Sequence, residues 1–129
     1  MILDTSALVA VLYREPEANR FVQLIHDAKR CVISAGNFLE LGLVLERSAG
    51  PEMERQRDAL FRRAGIGIAP FTEEQAFVAL LAFHDYGRGR HPAGLNFGDC
   101  FAYALAKVSG EPLLFKGTDF SQTDIVAAA

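Results

Sequence analysis

Four carboxylates in this 129-residue chain stand in surroundings that would normally carry no charge. Asp4 separates Met1-Ile2-Leu3 from Ser6-Ala7-Leu8-Val9. Glu40 interrupts Phe38-Leu39-Glu40-Leu41. Asp99 lies within Asn96-Phe97-Gly98-Asp99-Cys100-Phe101, and Asp119 within Lys116-Gly117-Thr118-Asp119-Phe120. A carboxylate is rarely buried unless it is paired or binds a metal. Brought together, such groups repel, by roughly 3 kcal/mol for two charges about 5 Å apart at an effective dielectric near 20. A divalent cation removes that repulsion, and an all-oxygen ligand set selects Mg²⁺ or Mn²⁺ rather than zinc. Such an ion polarises a phosphoryl oxygen and activates water. No His or Cys is paired with a base as a nucleophile would be, so covalent catalysis is not indicated.

Each acid also has a plainer role open to it. Asp4 suits a helix N-cap. Glu40 could flank a helix beside Leu43 and Arg47, and Glu46 is interrupted in the same way. Asp99 is three residues after Asn96, where an acid favours the helix dipole. Asp119 could close a loop turn, and Asp124 competes with it. The choice depends on where the elements place them.

The elements alternate. Met1-Ile2-Leu3 reads as a strand and Thr5 to about Arg14 as a helix. Glu15-Pro16-Glu17 restarts a helix, with proline in its first turn and a buried stripe of Phe21, Leu24 and Ile25. Cys31-Val32-Ile33 is a second strand. Ser34 caps a helix over 35–48 that stops at Gly50-Pro51, and a charged amphipathic helix runs from Glu52 to Ala64. Ile66-Gly67-Ile68-Ala69 is a third strand. Thr72 and Gln75 form a capping box for a helix reaching Tyr86. After a loop over 87–95, Asn96 caps a helix from Phe97 to Ser109. Leu113-Leu114-Phe115 is a fourth strand, with Ile125-Val126 a candidate fifth. Short apolar strands alternating with helices imply a parallel sheet of four to five strands covered on both faces, a three-layer α/β/α fold of one domain. In such sheets ligands bind beyond the carboxyl ends of the strands. Asp4 and the Lys116–Asp119 loop lie there. The segment Cys100 to Val108 is apolar nearly all round, so its first turn, with Asp99, should face the same cleft.

Composition sets limits. Half the residues are hydrophobic, 22% are charged and the formal net charge is −3. That argues against binding nucleic acid by bulk positive charge, though not against gripping phosphate locally. Cys31 and Cys100 have no metal-type spacing and read as reduced core thiols. No apolar stretch reaches the roughly 18 residues of a membrane span. Asp4 stands where a signal peptide would be basic, so a cytoplasmic location is expected.

In their order along the chain, Asp4-Thr5-Ser6, Glu40, Asn96-x-x-Asp99 and Lys116-Gly117-Thr118-Asp119-Phe120, with the trailing Thr123-Asp124-Ile125, resemble the PIN-domain ribonucleases. Among these the likeness is greatest to the toxin subunits of VapBC toxin–antitoxin modules. The resemblance covers the whole chain. It implies a PIN-like fold and a Mg²⁺- or Mn²⁺-dependent endoribonuclease leaving a 3′-hydroxyl and a 5′-phosphate. It matches Asp4, Glu40, Asp99 and Asp119 to the family's acidic quartet, with the metal on Asp4 and Asp99. Ser6, Asn96 and Thr118 take supporting positions, Ser6 as the hydroxyl beside the first acid and Thr118 where many relatives carry a second acid. It also implies a homodimer and a cognate antitoxin that threads a segment along the toxin, often bringing an arginine to the acids.

The basic loop Arg88-Gly89-Arg90-His91 precedes the Asp99 helix and is a candidate grip for RNA phosphates, as is Lys116. His84 lies just upstream, and Arg55, Arg57, Arg62 and Arg63 read as a charged helix face. The helix bearing Phe77, Val78, Leu80, Leu81 and Phe83 has more apolar surface than one core face requires, so a dimer partner or the antitoxin should cover part of it. A signalling receiver domain would need an aspartate after the central strand, where Pro70-Phe71-Thr72 stands. An aspartyl-phosphate phosphatase would need an acid at Ser6. A non-catalytic metal-binding module shares the same residues.

Overall fold

Alternation along very short strands decides the layers. In the computed structural model, which describes residues 1–129, β1 (Ile2–Leu3) lies between β2 (Val32–Ser34) and β4 (Leu113–Leu114). Ile2 is level with Val32 and Leu113, and Leu3 with Ile33 and Leu114. β3 (Gly67–Ala69) adds to β2, giving four strands in the order β3-β2-β1-β4, every pair parallel.

Successive side chains point to opposite faces. The row Ile2, Val32, Leu113 therefore faces α5 (Glu73–Tyr86) and α6 (Phe97–Ser109), meeting Ala82, Ala102, Tyr103, Leu105 and Ala106. The row Leu3, Ile33, Leu114 faces α1 (Thr5–Leu12), α2 (Ala18–Asp27) and α3 (Ala35–Ser48) through Leu8, Phe21, Ile25, Leu41 and Leu45. α4 (Pro51–Ala64) packs Leu60 and Phe61 on its margin. Burying each large apolar side chain contributes roughly 1.5–3 kcal/mol. The three layers are those expected. No helix is long and apolar enough to cross a membrane.

Some expectations change. The candidate fifth strand at Ile125-Val126 is only an isolated parallel bridge between Leu113 and Ala127, so the sheet stops at four strands. Pro16 sits in a turn, and α2 starts at Ala18 without a side-chain cap. Leu24 is half-buried, because the stripe needed to seat this short helix is Phe21 and Ile25. Phe115 lies outside β4. β3 is an edge strand, with Ile68 49% exposed, so its outer face lacks the cover its apolar sequence suggests. At α5, Thr72 accepts from the Gln75 N–H, but the Gln75 amide turns to the Pro70 carbonyl, leaving half a capping box. Cys100 is half-buried, unlike Cys31. Arg57 is not on a solvated face: its guanidinium lies 5.5 Å from the centre of the Phe38 ring and is largely covered.

Candidate active site

All four strands end at one edge, and the acids collect there. Asp4 follows β1, and its N–H donates to the Leu114 carbonyl at 2.9 Å. Its carboxylate caps α1: Oδ2 accepts the Ser6 N–H at 3.0 Å and the Ser6 hydroxyl at 2.5 Å. Ser6 in turn accepts the Lys116 N–H at 3.0 Å. The cap therefore does not exclude a second role for Asp4. Asp4 is 5% exposed, and its pKa is pushed up to about 6, first by burial, against the Ser6 hydrogen bonds, and further by the Glu40 charge.

Asp99 is held by a complete capping box. Asn96 Oδ1 accepts the Asp99 N–H at 2.9 Å, and Asp99 Oδ2 accepts the Asn96 N–H at 3.0 Å. Its pKa rises to about 7, with burial the largest cause. The Asn96 hydrogen bond lowers it, and the charges of Asp4, Asp119 and Glu40 each raise it. One carboxyl thus senses all three other acids, which come from β1, α3 and the loop after β4.

Glu40 reaches this group from the second turn of α3. Its Oε1 accepts from the Asn37 amide at 3.3 Å, and its Oε2 fills the space over Gly98 where any side chain's Cβ would collide with it. Asp119 is exposed and opens the turn Phe120–Gln122. Asp124 is elsewhere: its carboxylate accepts from the Tyr103 hydroxyl at 2.6 Å and from Lys107 Nζ at 2.8 Å. The structure thus brings Asp119, and not Asp124, to Asp99.

The candidate RNA contacts are placed less uniformly. Arg88 and Arg90 are exposed and make no ion pair. His91 serves its own loop: Nδ1 accepts the Ala93 N–H at 3.1 Å and the ring packs edge-on against Tyr86. Lys116 Nζ is held by Glu15 at 2.5 Å and Glu17 at 3.3 Å, so its ammonium neutralises acids. Thr118 is exposed, and its carbonyl accepts the Ser121 hydroxyl at 2.6 Å. Glu15, Glu17, Asn37 and Gly98 were not legible as site residues. A signal for Asn37 was there: Asn37-x-x-Glu40 repeats the spacing of Asn96-x-x-Asp99.

The donor set consists of carboxylates, and two of them are destabilised as anions by burial and by neighbouring acids, Asp4 by Glu40 and Asp99 by Asp4, Asp119 and Glu40, which suits a hard cation. No three Asp, Glu, His or Cys side chains are grouped so as to enclose an ion by themselves. An ion here would keep part of its water shell, as Mg²⁺ commonly does. None of the four acids lines either of two surface cavities of about 890 and 660 Å³. The first is lined by α1, α2 and α4 and the second by α5 and α6 with Phe71.

Known proteins share both the sequence and the fold. A family model described as the PIN domain matches residues 1–126. Ribonuclease VapC30 of Mycobacterium tuberculosis (strain ATCC 25618 / H37Rv) is 46% identical over 129 residues, covering 100% of this chain and 98% of that protein. Ribonuclease VapC of Mycolicibacterium smegmatis is 46% identical over 127 residues, covering 98% of each. The crystal structure of Mycobacterium tuberculosis VapC20, described as a sarcin-ricin loop cleaving toxin, superposes with a TM-score of 0.77 at 16% identity, over 97% of this chain and 95% of that one. VapBC2 from Rickettsia felis, bound to a DNA fragment from its promoter, gives 0.76 at 17% identity, over 98% and 94%. At such identities these two structures speak for the fold alone. With a family model spanning nearly the whole chain and full-length relatives at this identity, the chain belongs to the PIN-domain family and, within it, to the VapC ribonucleases.

Proposed function

We propose that this VapC ribonuclease is a metal-dependent endoribonuclease toxin whose working acids are Asp4, Glu40, Asp99 and Asp119. The observation that carries the reading is the gathering of acids from separate elements at one sheet edge: Asp4 directly follows β1, Asp99 opens α6, and the Glu40 carboxylate lies over Gly98 beside it, with the Asp99 pKa raised by burial and by the charges of the three other acids. Asp4 and Asp99 would hold a Mg²⁺ or Mn²⁺ ion, which supplies charge stabilisation at the phosphoryl oxygen and an activated water. Ser6 fixes the Asp4 carboxylate from one side. Asn96 fixes that of Asp99. Glu40 and Asp119 flank the pair and orient the water for in-line attack on the RNA phosphodiester, leaving a 3′-hydroxyl and a 5′-phosphate. Arg88 and Arg90, exposed and unpaired, grip neighbouring phosphates.

As the toxin of a toxin–antitoxin pair, the protein acts in the cytoplasm and is held in check by a cognate antitoxin. The exposed apolar side chains of α5, with Phe77 at 63%, Leu80 at 68% and Leu81 at 66%, are surface for a second copy or that antitoxin.

The test is cleavage of total RNA by the purified chain in EDTA, Mg²⁺ and Mn²⁺, beside Asp4→Asn. Cleavage should require the added ion and fall at least about a hundredfold in the variant, the scale lost when charge stabilisation at the reacting centre is removed. Cutting in EDTA, or by Asp4→Asn at the parent's rate, would overturn the reading. Sequencing the 5′ ends of the products identifies the RNA and the bond.

A further inference from the structure

Asn37 has no solvent exposure. It lies in the first turn of α3, three residues before Glu40. Its amide donates to the Gly98 carbonyl at 2.9 Å and to Glu40 Oε1 at 3.3 Å. Its backbone carbonyl accepts the Thr5 hydroxyl at 3.3 Å. One residue therefore touches the start of α1, just after Asp4, the start of α6, just before Asp99, and the side chain of Glu40.

The other half of the amide, Oδ1, is buried without a partner. An unpaired buried carbonyl is destabilising, and the other buried positions of α3 are Leu41 and Leu45. Fold stability alone does not ask for asparagine here. Glu40 explains it. A glutamate has several rotatable bonds, and on a half-exposed helix it would sample many positions. Here Oε1 is held by the Asn37 amide, while Oε2 rests over Gly98, the residue type without a Cβ to exclude it.

We propose that Asn37 is a positioning residue for the reaction. Its amide sets the Glu40 carboxylate against the first turn of α6, beside Asp99, and Gly98 provides the room. The proposal rests on the reading of Glu40 as one of the working acids. A displacement of about 1 Å in such a group reduces turnover by about a hundredfold.

The experiment is a double-mutant cycle on the full chain. RNA cleavage is measured under single-turnover conditions in saturating Mn²⁺, with KM and melting temperature alongside. Asn37→Ala should lower the cleavage rate about 10- to 100-fold with KM within about threefold. In a Glu40→Gln background the same change should have little further effect, since no carboxylate remains to be placed. Gly98→Ala leaves the Asn37 amide in place and should produce the same loss, because the three atoms nearest to the added Cβ all belong to the Glu40 carboxylate. An equal loss from Asn37→Ala in both backgrounds would overturn the proposal, since the amide would then act through the fold. So would an undiminished rate in Gly98→Ala, which decides the matter if Asn37→Ala does not fold. A Glu40→Gln variant as fast as the parent would instead overturn the role of Glu40 itself.

Discussion

Ser6 and Lys116 are joined by a hydrogen bond across 110 positions: the Lys116 N–H donates to Ser6 Oγ at 3.0 Å, and the Ser6 hydroxyl passes its own proton toward Asp4 Oδ2. The loop after β4 is thereby tied to the first acid. Ser6→Ala removes both bonds and leaves the Lys116 N–H without its partner. Stability should fall by about 1–3 kcal/mol. The Asp4 pKa should rise further, because the Ser6 hydroxyl bond is the largest of the hydrogen bonds that lower it. Cleavage should fall by about tenfold or more, the range for a lost catalytic support. Thermal melts and a cleavage assay check this, and an unchanged rate would show that Asp4 needs no support from Ser6.

Asp4 and Asp99 make the metal-free protein pH-sensitive. Their pKa values are raised from 3.8 to about 6 and about 7, so the folded state binds protons more tightly than the unfolded chain. The stabilisation is complete below about pH 4 and is lost as pH rises through about 6 to 7. A tenfold change in proton affinity corresponds to about 1.4 kcal/mol, so the two shifts together correspond to roughly 7 kcal/mol. In EDTA the melting temperature should decline from pH 5 to pH 8, and saturating Mg²⁺ should flatten that slope. A metal-free protein that grows more stable over the same range would contradict the raised values.

Asp99→Asn should separate cap from site. Asparagine retains some capping ability, and the helix-dipole contribution lost is roughly 0.3–1 kcal/mol. The repulsion relieved is on the order of 1–3 kcal/mol. In EDTA near neutral pH the variant should melt no lower than the parent. With the ion at a hundred times its Kd, the parent gains about 2.7 kcal/mol and the variant little, so the order reverses. Destabilisation in EDTA together with unimpaired cleavage would leave Asp99 only a cap.

Asp119 and Asp124 should behave differently. Asp124→Asn weakens an exposed pair with Lys107, worth about 0–1 kcal/mol, and should leave cleavage within about twofold of the parent. Asp119→Asn should lower cleavage at least tenfold with little change in melting, since its side chain is exposed. The reverse pattern would exchange their roles.

Leu80→Glu places a charge on the exposed apolar face of α5. Melting of the monomer should change by less than about 0.5 kcal/mol, as for other surface substitutions. Self-association or antitoxin capture, measured by sedimentation at micromolar concentration, should weaken by at least tenfold. If neither changes, this face is not the binding surface.

The strand and helix positions were legible because their signals are local. Ser34 and Asn96 have the side chains that cap helices, and the apolar runs have the right lengths. Ile125-Val126 failed as a strand because a two-residue apolar run does not say whether a sheet edge is free to receive it, and only an isolated bridge forms there. Pro16 failed as a helix start because the chain is still closing the preceding helix there: the Glu15 N–H donates back to the Ala10 carbonyl at 2.9 Å after Arg14 turns to positive φ, and the Ala18 N–H then donates to the Glu15 carbonyl.

The sequence by itself determined that Asp4, Glu40, Asp99 and Asp119 were out of place among their neighbours, and that parallel strands would end at one edge. Only the tertiary structure decided which acids meet and what holds them there. Asp119 and Asp124 are alike in type and five positions apart, yet one is sensed by Asp99 and the other is bound by Tyr103 and Lys107 on α6. The Asn37 amide, the room over Gly98 and the salt bridges of Lys116 likewise join segments distant in sequence. Hydrogen bonds, close contact and charge act over a few ångströms of space, and separation along the chain carries almost no record of such distances.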